Sequence, residues 1–320
     1  MAVFTVVSAE ALQVFLRGYE CGTPVSFKGI AEGVQNSNYL LDTTAARFIL
    51  TLYEERVETA YLPYFLDLLT HLADRGQPVP RPIRDRHGVA LQTLCGRSAC
   101  LIEFLPGVSI TEPTASDAFA GGAALGAMHR AVAGFAGVRP NALGSAHWRA
   151  LADRCAGQLD SIDPALAPLI ASELAAIDNH WPRGLDRSTV HADLFPDNVL
   201  TLDGRVTGVI DFYFACTDIR AYDLAVMHTA WCFTADGRGF HFERAAALLA
   251  GYRSTYALSD AEAAALPMLC RGAALRFMLT RAFDWINTPP GALVTRKDPM
   301  AFAWRLKWYR NATAAQVMAA

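Results

Sequence analysis

Apolar and polar residues follow one period up to residue 105 and another period in the rest of the chain. In the first part the apolar runs are short and separated by glycine and proline, as is typical of strands. The predicted strands lie at 25–31, 37–43, 47–53, 89–94 and 99–105. Two longer segments, 9–19 and 59–75, have apolar residues at helical spacing. This part therefore predicts a sheet of about five strands with one helix, 59–75, packed against it.

From residue 106 onward the helical period predominates. The predicted helices lie at 115–134, 146–158, 164–181, 219–234, 241–256, 260–286 and 299–317. Residues that commonly cap helix N-termini precede several predicted helices. These residues are Ser8, Thr114, Ser145, Asp218 and Ser259. One hairpin, within residues 191–212, is the only strand signal in this part of the chain.

The change of pattern falls at the turn-forming sequence Phe104-Leu105-Pro106-Gly107. We predict an α+β fold of two lobes, since strands predominate before this point and helices after it. Residues 1–105 form a small mixed-sheet lobe, and residues 106–320 form a larger, mostly helical lobe. A chain of 320 residues is long enough to bury a core in each lobe.

The predicted hairpin carries the most informative polar residues. Asp203-Gly204 is a strong signal for a two-residue turn, and it separates the strand-like runs VLTL and RVTGVI. An antiparallel return of the second run brings Asp211 back beside the loop that contains Asp193 and Asn198. Three oxygen-bearing side chains therefore converge at one end of the hairpin.

This set of oxygen atoms suits phosphoryl transfer, which needs positioning and cations on the phosphates more than covalent chemistry. Magnesium binds one or two protein oxygens and keeps several waters. Asn198 and Asp211 can supply those oxygens, and Asp193 is placed to accept hydrogen from an attacking hydroxyl. Together with His191, the pattern indicates a magnesium-dependent phosphotransferase.

Composition excludes several other classes of function. The chain is 52% hydrophobic with a net charge of −3, and its basic residues are scattered, which argues against nucleic-acid binding. No apolar run has the length of a membrane span, and the first residues lack the features of a signal peptide. Seven cysteines without a C-x-x-C pair predict free thiols in a reducing cytoplasm. We therefore expect a cytoplasmic protein without nucleic-acid or membrane partners.

The motifs HADLFPDN, GVIDF and ALGAMHRA resemble those of the aminoglycoside-phosphotransferase and choline-kinase-like group of small-molecule kinases. Further stretches are similar to the bacterial homoserine kinases of this protein-kinase-like type. They include FKGIAEGVQNSNYLL, FILTLYEER, LDLLTHLADRGQPVPRPI, GVIDFYFACTD and ALRFMLTRAFDW. The resemblance implies a two-lobed kinase fold. It also implies that ATP and Mg²⁺ are used to phosphorylate L-homoserine, a step toward threonine.

The resemblance also implies roles for individual residues. Asp193 matches the catalytic aspartate that orients and deprotonates the acceptor hydroxyl, and Asn198 and Asp211 match the magnesium ligands. His191 matches a histidine that braces the catalytic loop. Asp223 matches an aspartate that holds the backbone of this loop, although a solvated acid in a first helical turn explains it equally well.

The nucleotide side departs from the usual kinase pattern. The backbone from Glu103 to Leu105 matches the segment that binds adenine. Where related kinases place a lysine or arginine on the third strand, this chain has Thr51, which cannot supply a charge. Lys28 and Arg47 on neighbouring strands are the nearest replacements, and a solvated surface position is the alternative for both, more strongly for Arg47.

An amino-acid acceptor needs a cation for its carboxylate, best an arginine. Arg276 and Arg281 lie in a stretch that resembles homoserine kinases and are candidates, and Tyr213 is a candidate for lining the acceptor pocket. Choline, ethanolamine or an aminoglycoside are alternative acceptors. A catalytically inactive kinase-like scaffold is a further alternative. The lack of a positive charge at Thr51 favours the inactive scaffold, whereas the complete set of Asp193, Asn198 and Asp211 favours an enzyme.

Overall fold

The computed structural model describes residues 4–30, 36–54, 58–288 and 296–319. Its contacts divide the chain into two compact units. The first unit contains residues 1–106 together with 207–210, and the second contains 107–206 and 211–320. The boundary predicted from the sequence lies between residues 105 and 106, and the short segment 207–210 was not predicted to belong to the first lobe.

The first unit is built on a six-stranded sheet. Its strands are β1 (Pro24–Gly29), β2 (Asn36–Thr43), β3 (Arg47–Tyr53), β4 (Pro82–Ile83), β5 (Leu91–Leu94) and β6 (Arg97–Glu103). The order is β1-β2-β3-β6-β4, β5 also pairs with β6, and these pairs are antiparallel. The strand predicted at 47–53 has the ends of β3, and the other predicted strands are present with shifted ends. Residue 31 lies outside the described residues. The prediction missed β4 because two residues beside prolines carry almost no strand pattern.

The helices of the first unit are α1 (Ala9–Leu16) and α2 (Leu62–Ala73). Both are shorter than predicted, and α2 follows a 3-10 turn. Ser8 caps α1, because its hydroxyl accepts a hydrogen bond from the Ala11 N–H at 3.2 Å. The prediction of one helix against the sheet is wrong, since Leu12 and Leu16 of α1 join the core formed by the sheet.

The second unit consists mainly of helices. These are α3 (Ala115–Ala131), α4 (Ser145–Cys155), α5 (Leu166–His180), α6 (Arg220–Trp231), α7 (Phe242–Thr255), α8 (Asp260–Asn287), α9 (Met300–Asn311) and α10 (Ala314–Val317). Its strands are β7 (Val108–Ser109), β8 (Arg187–Val190), β9 (Val199–Leu202) and β11 (Cys216–Ile219). A further strand, β10 (Arg205–Val209), begins in this unit and ends in the segment 207–210 of the first unit. β9 pairs with β7, and β8 pairs with β11. The hairpin was therefore not the only β structure here, and the four-residue strands β8 and β11 were too short to predict.

The predicted hairpin is present as β9 and β10. Asp203 and Gly204 have φ values of 51° and 72°, which is the left-handed conformation that a tight hairpin turn requires. The predicted helix 299–317 is two helices, α9 and α10. Ala312 is extended between them, and Thr313 forms a capping box with Gln316.

Two of the predicted caps are wrong. Gly144, not Ser145, precedes α4. Asp218 belongs to β11, and its carboxylate accepts hydrogen bonds from Ile219 N and Asn141 Nδ2 instead of capping the following helix. The caps predicted for α3 and α8 are confirmed, since each forms a capping box with an acidic residue.

Helix α8 is the centre of the second unit and packs against α4, α5, α6, α9 and α10. By length and composition alone it could cross a membrane, but 61% of its most apolar window is buried inside the protein. The sequence statement that no apolar run is long enough for a membrane span is thus wrong. The reason is that a helix surrounded by other helices is apolar on most of its surface.

Candidate active site

The candidate site is built on the loop at residues 191–198, between β8 and β9. Asp223 in the first turn of α6 accepts hydrogen bonds from the backbone N–H groups of His191 and Ala192, both at 2.7 Å. These two bonds restrain the backbone immediately before Asp193. The loop therefore depends on a carboxylate from the following helix.

Asp223 is fully buried, so the reading of this residue as a solvated acid is wrong. His129 Nε2 lies 3.1 Å from its carboxylate, and His129 Nδ1 lies 2.9 Å from the Tyr252 hydroxyl. Burial alone raises the pKa of Asp223, but the hydrogen bonds from His129 and from the His191 backbone outweigh it and lower the pKa below the usual value. Asp223 is therefore ionised when it holds the loop.

Arg276 holds the same loop through the peptide group that follows Ala192, whereas Asp223 binds the peptide group that precedes it. Ala192 has a φ of 63°, which is uncommon for a residue other than glycine. Its N–H donates to Asp223, and its carbonyl accepts a hydrogen bond from Arg276 Nη1. Arg276 is 2% exposed, and its guanidinium lies 4.3 Å from the ring centre of Phe277 and 5.5 Å from that of Phe214. These contacts stabilise the strained conformation at Ala192.

His191 is also buried and makes structural contacts. The Asp193 N–H donates to His191 Nδ1 at 3.3 Å, and the imidazole lies 4.6 Å from the Phe212 ring. One further support was missed by the sequence analysis: Trp231 Nε1 donates to the Leu194 carbonyl at 2.9 Å. The sequence does not indicate this hydrogen bond, because a tryptophan at the end of an apolar helix is also typical of core packing.

Asp193 is the carboxylate that this scaffold presents. Its side chain is 19% exposed, and Arg276 Nη2 lies 3.7 Å from its Oδ1. Burial raises the pKa of Asp193, while the positive charges of Arg276 and Lys297 oppose the rise. A carboxylate with this balance of burial and charge is suited to accept a proton from a hydroxyl.

Asn198 and Asp211 supply the oxygen atoms predicted to bind a metal. The Asn198 Nδ2 group donates to the Asp193 carbonyl at 2.8 Å, which leaves the amide oxygen as the atom for a ligand. In the described part of the chain, no group of three or more His, Cys, Asp and Glu side chains is arranged to hold a metal. A site made of one amide, one carboxylate and phosphate oxygens does not need such a group.

Asp211 has a left-handed backbone, with a φ of 65°, directly before a 3-10 turn. The residue is accessible to solvent, but its pKa is raised to about 6, mainly because protein atoms around the carboxyl group reduce its solvation. The negative charge of Asp193 contributes to the same rise. Two carboxylates that repel each other in this way fit a divalent cation, because the cation stabilises both in their ionised form.

The residues predicted to contact the nucleotide lie in the first unit. Lys28 is exposed on β1. Thr51 is buried on β3 and donates to Asn38 Oδ1 at 2.8 Å, so it is a satisfied polar residue of the sheet. Arg47 pairs with Asp42 at 2.6 Å, which is the surface position given as its alternative.

Glu103 is the last residue of β6, and Leu105 follows two residues later. The Glu103 N–H donates to the Arg81 carbonyl at 2.9 Å. This bond removes one donor from the backbone segment predicted to bind adenine. The Glu103 carbonyl and the Leu105 backbone are the remaining groups of this segment that are predicted to bind adenine.

The three arginines of α8 have different surroundings. Arg271 forms a two-point salt bridge with Glu173, at 2.7 and 2.8 Å. Arg276 binds the loop and is not oriented as a free substrate ligand. Arg281 Nη1 donates to the Asp298 carbonyl at 3.1 Å. Tyr213 lies in the 3-10 turn after Asp211, and its role in the acceptor pocket stays a prediction.

Comparison with known proteins matches this site to a family. The model of the phosphotransferase enzyme family known as APH matches residues 26–263. The homoserine kinase of Methylobacterium radiotolerans is 53% identical over 312 residues, which cover 98% of this chain and 97% of that protein. The homoserine kinase of Azorhizobium caulinodans is 50% identical over 316 residues, covering 99% and 98%.

Solved structures show the same fold. An amicoumacin kinase in complex with AMP-PNP, Ca²⁺ and its ligand has a TM-score of 0.70 at 17% identity, covering 96% of this chain and 95% of that one. A microcompartment-associated aminopropanol kinase has a TM-score of 0.65 at 18% identity, covering 97% and 99%. The predicted two-lobed kinase fold is confirmed. The chain belongs to the phosphotransferase enzyme family and, within it, to the homoserine kinases.

Proposed function

We propose that this chain transfers the γ-phosphoryl group of ATP to the side-chain hydroxyl of L-homoserine, which yields O-phospho-L-homoserine for threonine biosynthesis. The observation that carries the proposal is identity of about half of all residues to homoserine kinases over nearly the whole chain. The loop at residues 191–198 supports it, since its carboxylate and amide groups are those that phosphoryl transfer to an alcohol requires.

Asp193 is the catalytic base in this proposal. Its carboxylate orients the homoserine hydroxyl and accepts the hydroxyl proton as the oxygen bonds to the γ-phosphorus. The bond between the γ-phosphorus and the β,γ-bridging oxygen breaks, and ADP leaves with that oxygen. Partial burial of Asp193 supports this role because it raises the affinity of the carboxylate for the proton.

Asn198 and Asp211 hold a divalent cation, for which we propose Mg²⁺. The bound cation offsets the negative charge of the phosphate oxygens. Asn198 presents its amide oxygen because its nitrogen donates to the Asp193 backbone. Asp211 is held in an uncommon backbone conformation beside the same loop, which supports a positional requirement on its carboxylate.

Asp223, His191 and Arg276 are positioning residues. None needs to contact the reacting atoms, because each restrains the backbone next to Asp193. On the nucleotide side, we propose that the backbone at Glu103 and Leu105 binds adenine and that Lys28 takes the phosphate-binding role for which Thr51 has no charge. The exposed amine of Lys28 is available for this role.

We further propose that the chain works in the cytoplasm, without nucleic-acid or membrane partners. All seven cysteines are free thiols, which fits a reducing compartment. Six of the seven are buried. Their packing within the protein fits a structural role.

A coupled assay of ADP release with Mg²⁺ and ATP tests the function. We expect turnover with L-homoserine, and much lower turnover with L-serine, L-threonine, choline and kanamycin. The matched control omits Mg²⁺ and adds a chelator, which should abolish release. Equal turnover of several acceptors would contradict the assignment of L-homoserine as the substrate. Absence of turnover with every acceptor would favour an inactive scaffold.

A further inference from the structure

Arg281 on α8 is a desolvated cation without a carboxylate partner in the described part of the chain. Its guanidinium lies 4.5 Å from the ring centre of Phe302 and donates a hydrogen bond to a backbone carbonyl, that of Asp298. Burial lowers the pKa of Arg281 to about 10, although the charges of Asp298, Asp193 and Asp197 favour its ionised form. Charged groups in such surroundings are normally paired.

The other two arginines of α8 each have a partner in this unit. Arg271, on the same helix, is neutralised by Glu173 through two hydrogen bonds. Arg276 donates a hydrogen bond to the Ala192 carbonyl and lies beside Asp193. Arg281 is thus the α8 arginine that forms no salt bridge among the described residues, although the charges of Asp298, Asp193 and Asp197 act on it.

A group of packed aromatic rings connects Arg281 to the catalytic loop. Phe195, two residues after Asp193, packs on Phe302 with ring centres 6.2 Å apart. Arg281 lies over this same Phe302 ring. Lys297 Nζ lies 5.9 Å from the Phe195 ring centre, and its charge acts on Asp193. Arg281 and Lys297 therefore both contact the aromatic group next to the proposed catalytic base. Arg305 also lies over Phe302, at 4.3 Å, but its guanidinium donates to the Thr234 carbonyl.

We infer that Arg281, assisted by Lys297, binds the α-carboxylate of the acceptor amino acid. The inference rests on the proposed function, since it concerns the acceptor of that reaction. A guanidinium presents two parallel N–H groups to a carboxylate and is less strongly hydrated than an ammonium group, which suits a partly buried subsite. The phenyl ring of Phe302 beneath the guanidinium keeps that plane in place.

This assignment accounts for selection of an amino acid over an amino alcohol. With the carboxylate bound, the charge of Arg281 is paired. With an acceptor that lacks the carboxylate, the cation stays desolvated and unpaired. Sites built to bind a polar group reject analogues without that group strongly, for this reason.

The test compares two acceptors that differ only in the carboxylate, L-homoserine and 3-aminopropan-1-ol. In Arg281→Met we expect kcat/KM for L-homoserine to fall by about a hundredfold, mainly through KM. The value for 3-aminopropan-1-ol should change by less than about threefold, because this acceptor makes no contact with the guanidinium. Arg281→Lys should lie between the two enzymes for L-homoserine.

Inhibition gives a second measurement that does not depend on turnover of the amino alcohol. L-2-aminobutyrate keeps the carboxylate but lacks the hydroxyl. Its inhibition constant against L-homoserine should rise in Arg281→Met by the same factor as the KM for L-homoserine. The KM for ATP should not change.

Arg296→Met is the matched control. Arg296 also lies over an aromatic ring, that of Trp285 at 4.5 Å, and also donates to a backbone carbonyl. It is exposed, and we expect normal kinetics. Lys297→Met removes a second exposed cation and should raise the KM for L-homoserine by about two- to fivefold, with no effect on the amino alcohol.

Equal losses with both acceptors in Arg281→Met would overturn the inference, because they would show a structural role. If Arg281→Met does not fold, an unchanged KM for L-homoserine in Lys297→Met would overturn it. Absence of L-homoserine turnover in the unmodified protein would instead contradict the proposed function. The two failures are therefore distinguishable.

Discussion

Asp193 obtains its properties from residues that are distant in the sequence. Asp223 and Arg276 hold the backbone on either side of Ala192, and Arg276 also lies 3.7 Å from the Asp193 carboxylate. Burial raises the pKa of Asp193, and the arginine limits that rise. At the residue scale, the site is one partly exposed carboxylate on a loop that buried charged side chains hold in place.

We expect Asp193→Asn to lower kcat by at least about a hundredfold, because an amide cannot accept the hydroxyl proton. The thermal unfolding temperature should stay the same or rise slightly, since the substitution removes a desolvated charge. Steady-state kinetics and a thermal melt measure the two effects.

Asp203→Asn at the tip of the β9–β10 hairpin is the matched control for charge. Asn tolerates the left-handed conformation that Asp203 adopts, so both turnover and stability should be normal. Near-normal turnover of Asp193→Asn would refute the role of Asp193 as the base.

At the element scale, helices α3 and α7 approach each other unusually closely. A Cβ atom on Gly122 would overlap the Leu248 carbonyl oxygen, and one on Gly251 would overlap the Phe119 carbonyl oxygen. The close approach also places His129 of α3 beside Tyr252 of α7. Packing of these helices thus supports the hydrogen bond from His129 to the Asp223 carboxylate.

Gly122→Ala should therefore destabilise the protein, although alanine favours an isolated helix. We expect overpacking to lower the free energy of unfolding by about 1–3 kcal/mol. Urea unfolding followed by circular dichroism measures the change. The control is Ser116→Ala, exposed on the same helix, for which a change within about 0.5 kcal/mol is expected. Equal stability of Gly122→Ala and the unmodified protein would contradict the close packing.

Elements were predictable where a local signal marks them. Residues adjacent in the sequence specify the Asp203-Gly204 turn, the capping boxes at Thr114 and Ser259, and the long helix α8. The short strands β4, β8 and β11 were not predictable, since two to four residues hold no readable period and their pairing partners are distant.

At the scale of the whole second unit, His228 of α6 joins segments from the end of the chain. Its Nδ1 lies 2.6 Å from the Tyr309 hydroxyl, and its Nε2 lies 3.0 Å from the Val317 carbonyl. A carbonyl only accepts hydrogen bonds, so Nε2 carries the proton and Nδ1 accepts from Tyr309. Complete burial lowers the pKa of His228 to about 4, despite the opposing effect of the Val317 carbonyl.

The protein should lose stability as pH falls between about 6.5, the usual pKa of an unfolded histidine, and about 4. In this window the unfolded chain binds the proton and the native state does not, so acid favours unfolding. The contribution of His228 to the free energy of unfolding should fall by about 2 kcal/mol between pH 7 and pH 5.

His228→Gln tests this contribution, because an amide can donate to Val317 and accept from Tyr309 without titrating. Urea unfolding at pH 7, 6 and 5 should show a smaller decline for the variant. The raised pKa of Asp211 acts in the opposite direction and is common to both proteins, so the difference between them is the quantity to measure. Parallel curves would contradict the assignment of a neutral, buried His228.

The sequence alone determined the fold class, the family, and the acidic residues of the loop. These properties depend on local periodicity and on motifs such as HADLFPDN, in which chemistry and spacing are adjacent along the chain. The tertiary structure decided which candidates are held together. It placed Asp223 in a buried hydrogen-bond network, used Arg276 to hold the loop, and left Arg281 without a carboxylate among the described residues. Sequence spacing could not separate those arginines, because burial and pairing depend on side chains that folding brings from distant positions.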